Sequence, residues 1–532
     1  MSKRAAAASA DEFVDDDNNN DDNNDDDEQV TSKKAKKATS VSNSKGSTIF
    51  SGLRVRPHPS AALVDARRVR SLLRATSPLA AAPVVLWVSR DQRLDDNWAF
   101  LRAVELANAT NEAGERAELH VAFCLARSFP DATWRACTFM LSGLEELATQ
   151  CAKHGLPFHL LQGDVGVELP ALVRRLGAGH VVVDFSPLRV GRQWRSDLCA
   201  ALKPLGTVAV DEVDAHNIVP VWRASDKQEW AARTLRLKFG KGLLADYLTE
   251  FPSVEAALAG GSRKPATHAP APIDWAAVRA WVQADASVGA VDWLRAGPAA
   301  ASEALRAFLT RPRLDHYADR NDPTVADGQS HLSPFLHFGH LSPQRATIAA
   351  LEKRALKPDA VDSFLEELVV RRELSDNFCY YNVKYDSFDG GPDWAKKSLT
   401  EHLRDPRQHL YTYEQLQDSK TSDALWNAAQ MQLVRQGKMA GFLRMYWAKK
   451  VAEWTKTPQE AIEHLIKLND RFSLDGRDPN GYVGIMWSVV GTHDQGWAER
   501  AVTGKVRCMT LSGCERKFDV PRFIEMVKKL KK

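Results

Sequence analysis

The chain has 532 residues, 44% of them hydrophobic and 26% charged, enough for two or three domains with a large buried core. Its net charge of +3 divides into −4 over residues 1–45 (seven basic, eleven acidic) and +7 over the rest (64 basic, 57 acidic), a mild basic excess compatible with a nucleic-acid partner. No apolar run approaches the roughly 20 residues of a membrane span, and the seven scattered cysteines contain no CxxC pair, which argues against a disulfide framework or zinc site and for a reducing compartment.

Residues 1–47 are expected to be a disordered tail. The Asp/Asn run from Asp15 to Asp27 cannot bury apolar surface. Lys33-Lys34-Ala35-Lys36-Lys37 is either a nuclear import signal or part of a solubilising tail. The acids make a poor organelle transit peptide, without excluding one.

From Pro83 the pattern alternates strand and helix, over residues 48–255. Val84–Val88, Leu119–Cys124, Phe158–Leu161, His180–Asp184 and Val208–Val210 read as short strands. Trp98–Ala107 and Phe139–Ala152 read as helices between them. This predicts an α/β domain with a parallel, Rossmann-like sheet covered on both faces. The first strand-to-helix turn, Ser89 to Asn97, has no glycine, so it is not a pyrophosphate-cradling dinucleotide turn. A Gly/Pro/Ala-rich linker is expected over residues 256–300. Strand signals stop past Asp274, and residues 301–532 are expected to be all helical.

Four features of the helical part carry chemistry. Ser330 and Ser333, just ahead of Pro334, would form an anion site at a helix N-terminus, or an ordinary cap. His331, His337 and His340 are close in sequence but lack an acidic or cysteine ligand at regular spacing, so no metal is expected. Phe364–Leu374 reads as a helix with Phe364, Glu367, Arg371 and Leu374 on one face. A carboxylate on that half-apolar stripe is either paired with Arg371 at the surface or partly desolvated, with raised proton affinity. Trp447 and Trp454 are seven residues apart, about 10.5 Å along one helical face. Trp426 joins them if the chain turns at Gly437 and Gly441.

The fourth feature is the polar stretch from Leu468 to Tyr482, set between apolar, tryptophan-rich segments. Asn469, Asp475, Arg477, Asp478 and Asn480 crowd it, punctuated by Gly476, Pro479 and Gly481. It reads as a loop that must find partners or hold a polar ligand. Arg444 has the opposite charge to Asp475, and each would need the other if desolvated.

This stretch, with Gly441–Trp447 before it and Trp487 and Trp497 after it, resembles the flavin pocket of the photolyase and cryptochrome family. More narrowly, it is similar to class II cyclobutane pyrimidine dimer photolyases, over most of the chain from Pro83 onward. The resemblance implies FAD as cofactor, reduced and anionic when active. Its implied contacts are Tyr317, Gln329, Ser330, His331, Leu332, Ser333, Phe364, Arg371, Arg444, Asn469, Asp475 and Asp478. Asn469 would reach flavin N5, with Asn480 as rival. Glu367 would touch the dimer, and Met445 and Trp487 would wall the lesion pocket. Trp447, Trp426 and Trp454 would pass electrons in that order, with Trp454 near solvent. The implied function is light-driven splitting of pyrimidine dimers in DNA, on bases flipped from the duplex, by a monomer off the membrane. The resemblance also implies a second antenna chromophore of unknown identity. A cryptochrome-type photoreceptor and a flavin electron carrier are the alternatives.

Overall fold

The computed structural model describes residues 48–59, 62–108, 116–259, 268–325 and 327–530. The Asp15–Asp27 run and the Lys33–Lys37 motif lie outside them. Among the described residues are eight strands: β1 (Val69–Leu73), β2 (Val84–Trp87), β3 (Leu119–Leu125), β4 (Ser128–Thr133), β5 (Phe158–Gln162), β6 (His180–Asp184), β7 (Ala209–Val213) and β8 (Gln283–Asp285). Six form one sheet in the order β1-β7-β6-β2-β3-β5. Its inner pairs are parallel, and β1 closes one edge antiparallel to β7.

Central strand β2 explains why the sheet needs cover on both faces. All four of its residues are buried. Val84 and Leu86 join the core on one face, while Val85 and Trp87 join the other, as side-chain alternation requires. The helix Trp98–Ala107 keeps its expected bounds because Asn97 caps it, accepting from the Ala99 and Phe100 amides.

The strand order reverses at β2, and the crevice beside its C-terminal end is where open α/β sheets bind ligands. Here that crevice is filled from within. Asp184, at the end of β6, accepts the amides of Ser89, Arg90 and Asp91 at 2.8–2.9 Å. Gly339 then docks so closely that an added Cβ would lie 2.2 Å from the Arg90 carbonyl oxygen. Arg90 continues across the contact with a bidentate pair to Asp376 at 2.7 and 2.9 Å.

The segment expected to be a linker has structure of its own. Helix Trp275–Trp281 crosses it, and β8 pairs parallel with β4, so strands continue past Asp274. From Pro298 onward the described chain is helical, built around two cores. One holds Phe308, Tyr317 and Phe364, and the other Trp426, Trp447 and Trp454. Arg135, at the start of helix Trp134–Lys153, joins the α/β part to this region. Its guanidinium donates to the carbonyls of Leu433, Val434 and Phe472 at the ends of two helices, and to Gly289. The described residues fall in one compact unit, 47–532, and no described helix is long and apolar enough to cross a membrane.

Candidate functional site

The polar stretch is a loop only in its middle. Helix Pro458–Phe472 runs through Leu468–Phe472, and the next helix starts at Pro479, where a proline's missing N–H costs nothing. Ser473–Asp478 alone connect them. This turn presents Asn469, Ser473 and Asp475 to a single guanidinium. Arg444 donates to Asn469 Oδ1 at 2.8 Å, to Ser473 Oγ at 2.9 Å and to Asp475 Oδ1 at 3.1 Å. The expected Arg444–Asp475 pair therefore forms, with Asn469 in the same cluster. Asn469 is 3% exposed, and its amide donates to Asp470 Oδ1 at 3.0 Å. An added Cβ on Gly481 would come within 3.0 Å of that amide.

Its rival Asn480 is exposed and donates to Asp478. Asp478 turns elsewhere too. It caps helix Pro479–Val490 and pairs with His337 at 3.1 Å. Burial pushes its carboxyl up, but His337, Arg90 and Arg372 outweigh this and hold it far below the usual carboxylate range. The fold does not bring Asp478 into the Arg444 cluster.

A second cluster forms around Tyr317. Its buried ring packs edge-on against Phe308 and Phe364, at 5.4 and 5.6 Å between centroids. The Arg320 guanidinium lies 5.2 Å from the same ring and bonds Glu367 at 3.3 Å. The expected desolvation of Glu367 is not found, since its side chain is 46% exposed. Nor do Phe364, Glu367, Arg371 and Leu374 share a face. Phe364 and Leu374 are buried while Glu367 and Arg371 are exposed. The reason is a π-helical stretch, Glu366–Arg371, whose wider turn rotates intervening residues off the apolar stripe. Arg371 lies 3.6 Å from Glu366 and makes no pair with Glu367.

Gln329–Ser333 run up to a helix of five residues, Ser333–His337, too short to build an N-terminal anion site on its dipole. Ser333 is exposed within it, Leu332 is buried, and Ser330 Oγ accepts from the Leu332 amide. Side chains hold this segment instead. Arg313 donates to the Gln329 carbonyl at 3.5 Å, and Lys438 bonds His331 Nδ1. Lys438 was not among the expected site residues. Burial, with Arg444 and Arg313 nearby, lowers its ammonium to about 7 against the pull of Asp475 and Asp327. Burial, with Lys438 and Arg313 nearby, lowers His331 to about 3. Arg313, Lys438 and Arg444 thus converge on one region with less acid than base. That donor set fits an anionic group such as a cofactor's phosphates.

The tryptophans assemble as their spacing predicts. Helix Ala424–Gln436 ends at left-handed Gly437, and helix Gly441–Trp454 returns alongside it. Trp426 is thereby inserted between the other two. Its ring lies 6.5 Å from Trp447 at 9° between planes, and 5.6 Å from Trp454 at 69°. Both inner indole N–H groups are satisfied, Trp426 by the Trp447 carbonyl and Trp447 by Gln430, each at 2.9 Å. Trp454 is more enclosed than expected, with Tyr411 edge-on at 5.3 Å. Trp447 is three residues beyond Arg444, one helical turn. Met445 and Trp487 are both half-buried, on helices Gly441–Trp454 and Pro479–Val490.

Sequence reasoning missed Arg313, Arg320, Lys438 and Ser473. Ser473 could have been read from its place inside the polar turn. The others owe their positions to partners distant in sequence.

The DNA photolyase family model matches residues 84–255. Deoxyribodipyrimidine photo-lyase of Potorous tridactylus is 52% identical over 442 residues, 82% of this chain and 80% of that protein. The Oryza sativa protein of the same name is 50% identical over 84% of this chain and 88% of its own length. The fold is similar to a class III photolyase from Agrobacterium tumefaciens, with a TM-score of 0.59 at 18% identity over 85% of this chain and 87% of that one. It is equally similar to a Sulfolobus tokodaii photolyase solved with two FAD molecules, with a TM-score of 0.59 at 16% identity over 84% and 89%. With about half its residues shared over four-fifths of its length, the chain belongs to the deoxyribodipyrimidine photo-lyase family.

Proposed function

We propose that this chain binds FAD and uses light to split pyrimidine dimers in DNA. The observation that carries the reading is the Trp447–Trp426–Trp454 ladder, which starts one helical turn from the Arg444–Asn469–Asp475 cluster. A core needs aromatic bulk, but not stacked indoles leading away from a polar pocket.

When bound, FAD supplies the absorption of light and the electron that the dimer receives. The chain's own residues do the rest. Arg444 fixes Asn469 and Asp475 at one edge of the cofactor site. Its positive charge suits a reduced, anionic flavin. Lys438 and Arg313 face the phosphates beside Gln329–Ser333. Tyr317 and Phe364 wall the same site. Trp454, Trp426 and Trp447 pass electrons inward toward that site. Glu367, on an open face with Arg320, meets the flipped bases, and Met445 and Trp487 flank them. Stacked bases hide the reacting bonds, so flipping is required. A second, light-harvesting chromophore on the α/β part belongs to the same proposal, as do a monomeric state and a nuclear address read from Lys33–Lys37.

The test mixes FAD-loaded, chemically reduced protein with a duplex holding one thymine dimer, and follows dimer loss in blue light and in darkness. Loss only in light is expected. Intact dimers after illumination, with flavin bound, would leave the photoreceptor reading in its place. The absorption spectrum of the same sample shows whether a band remains that flavin does not explain.

A further inference from the structure

Lys449 is a lysine in an unusual place. It lies on helix Gly441–Trp454, one turn beyond Met445, and is 2% exposed. Burying an ammonium is costly unless it is paired. Yet among the described residues no carboxylate comes within ion-pair distance of Lys449, and its acceptors come from two other parts of the chain. Nζ donates to the Arg507 carbonyl at 2.5 Å and, at 3.4 Å, to that of Ser488. It also stands 4.6 Å from the centroid of the Trp487 ring. The Arg507 guanidinium in turn lies 4.6 Å from the ring of Trp497, which is exposed.

Resting on the reading that Trp487 flanks the lesion, we propose that Lys449 is a positioning residue for lesion recognition. Its ammonium holds the indole from behind and ties the Trp497–Arg507 segment to the same point. A cation behind an aromatic ring fixes it more firmly than apolar packing, because the attraction is strongest over the ring face. A methionine could fill the volume but could neither accept that role nor bond the Arg507 carbonyl.

The contact is sensitive to pH. Burial lowers the ammonium to about 8, with Arg507 acting in the same direction and Asp494, Cys508 and Glu453 opposing. Glu453 is itself paired with Lys450 at 2.7 Å. Below about 8 the ammonium is charged and the ring is held. Above it the charge is lost, and with it the cation–ring attraction.

The experiment measures affinity for a dimer-containing duplex and for its intact counterpart, from neutral pH to well above 8. Their ratio cancels phosphate contacts common to both. For the unmodified protein the ratio should fall roughly tenfold across this range, the scale of a desolvated cation–ring contact. Lys449→Met should start at the reduced ratio and show no pH dependence. A constant ratio in the unmodified protein would overturn the proposal, and that measurement needs no variant to fold. So would a Lys449→Met protein that melts normally and discriminates as well as the original. Trp487→Ala separates this proposal from the reading beneath it. Loss of discrimination in Trp487→Ala but not in Lys449→Met sinks the role of Lys449 alone. Full discrimination in Trp487→Ala removes Trp487 from the lesion pocket, and the proposal falls with it.

Discussion

The indole of Trp426 lies parallel to that of Trp447, 6.5 Å away, and donates its N–H to the Trp447 backbone carbonyl. The hydrogen bond fixes the separation of the two rings, because it ties one side chain to the other's main chain. Replacing Trp426 with Phe should therefore break the ladder in its middle while leaving most of the packing. Light-driven reduction of the oxidised cofactor should fall close to background in both Trp426→Phe and Trp447→Phe. Repair should persist in both once the flavin is reduced chemically. The absorbance of oxidised flavin during illumination checks the first half, and dimer loss the second. Photoreduction at the original rate in either variant would mean that electrons take another route.

Glu367 is open to solvent, and among the described residues it pairs with Arg320. A residue so placed contributes little to stability, since exposed ion pairs are worth about 0–1 kcal/mol. Glu367→Ala should melt at nearly the original temperature, retain flavin and repair fewer dimers per absorbed photon. Glu367→Gln, which can still donate a hydrogen bond, should recover part of the yield. An unchanged quantum yield in Glu367→Ala would remove this residue from the reaction.

Arg444 serves three acceptors with one guanidinium. Arg444→Leu leaves Asn469, Ser473 and Asp475 to find new partners in a half-buried turn. The loss in stability should be about 1–3 kcal/mol, read as a lower denaturant midpoint, with weaker flavin retention on dilution. A variant that keeps its flavin and its midpoint would place Arg444 outside the cofactor's support.

Glu373 supplies a pH dependence unrelated to the chemistry. It is buried and accepts the amides of Ile218 and Val219. Burial raises its carboxyl to about 8, although those amides pull it down. The folded chain therefore holds a proton that the unfolded chain releases near 4.3. The resulting stabilisation is complete below that value and is lost as pH rises through about 8. Glu373→Gln keeps an acceptor and removes the ionisation. Melting curves of the two proteins should coincide in acid and separate by on the order of 5 kcal/mol above pH 8, with the variant more stable. Parallel curves at all pH values would contradict the buried, protonated state.

Much of this was legible in the sequence where a local rule is also the global one. β2 reads as a strand because both faces are buried and every residue is apolar. Trp98–Ala107 reads correctly because Asn97 caps it. The ladder is legible because two tryptophans seven apart share a face and two glycines allow the third to fold back. Glu367 is where the local rule fails. Glu-Glu-Leu-Val-Val-Arg has the composition of an ordinary helix, and nothing in it marks the wider π turn that carries the carboxylate outward. β8 is three residues long and exists through its pairing with β4. Lys438 reaches His331 across 107 residues of chain, and its depressed proton affinity comes from that packing and not from its neighbours in sequence.

The Arg135 guanidinium has a consequence for how such chains can be recombined. It reads the end of the helix that carries Trp426, through the Leu433 and Val434 carbonyls, and the end of the one that carries Asn469, through Phe472. The α/β part and the helical part, already joined by Arg90 and Asp376, are keyed a second time by this one side chain. A hybrid taking its first half from a relative without an arginine at this position would leave three helix-end carbonyls facing a gap. The tryptophan ladder and the polar turn would then be the first parts to loosen. Exchange between such genes should succeed only where lock and key travel together.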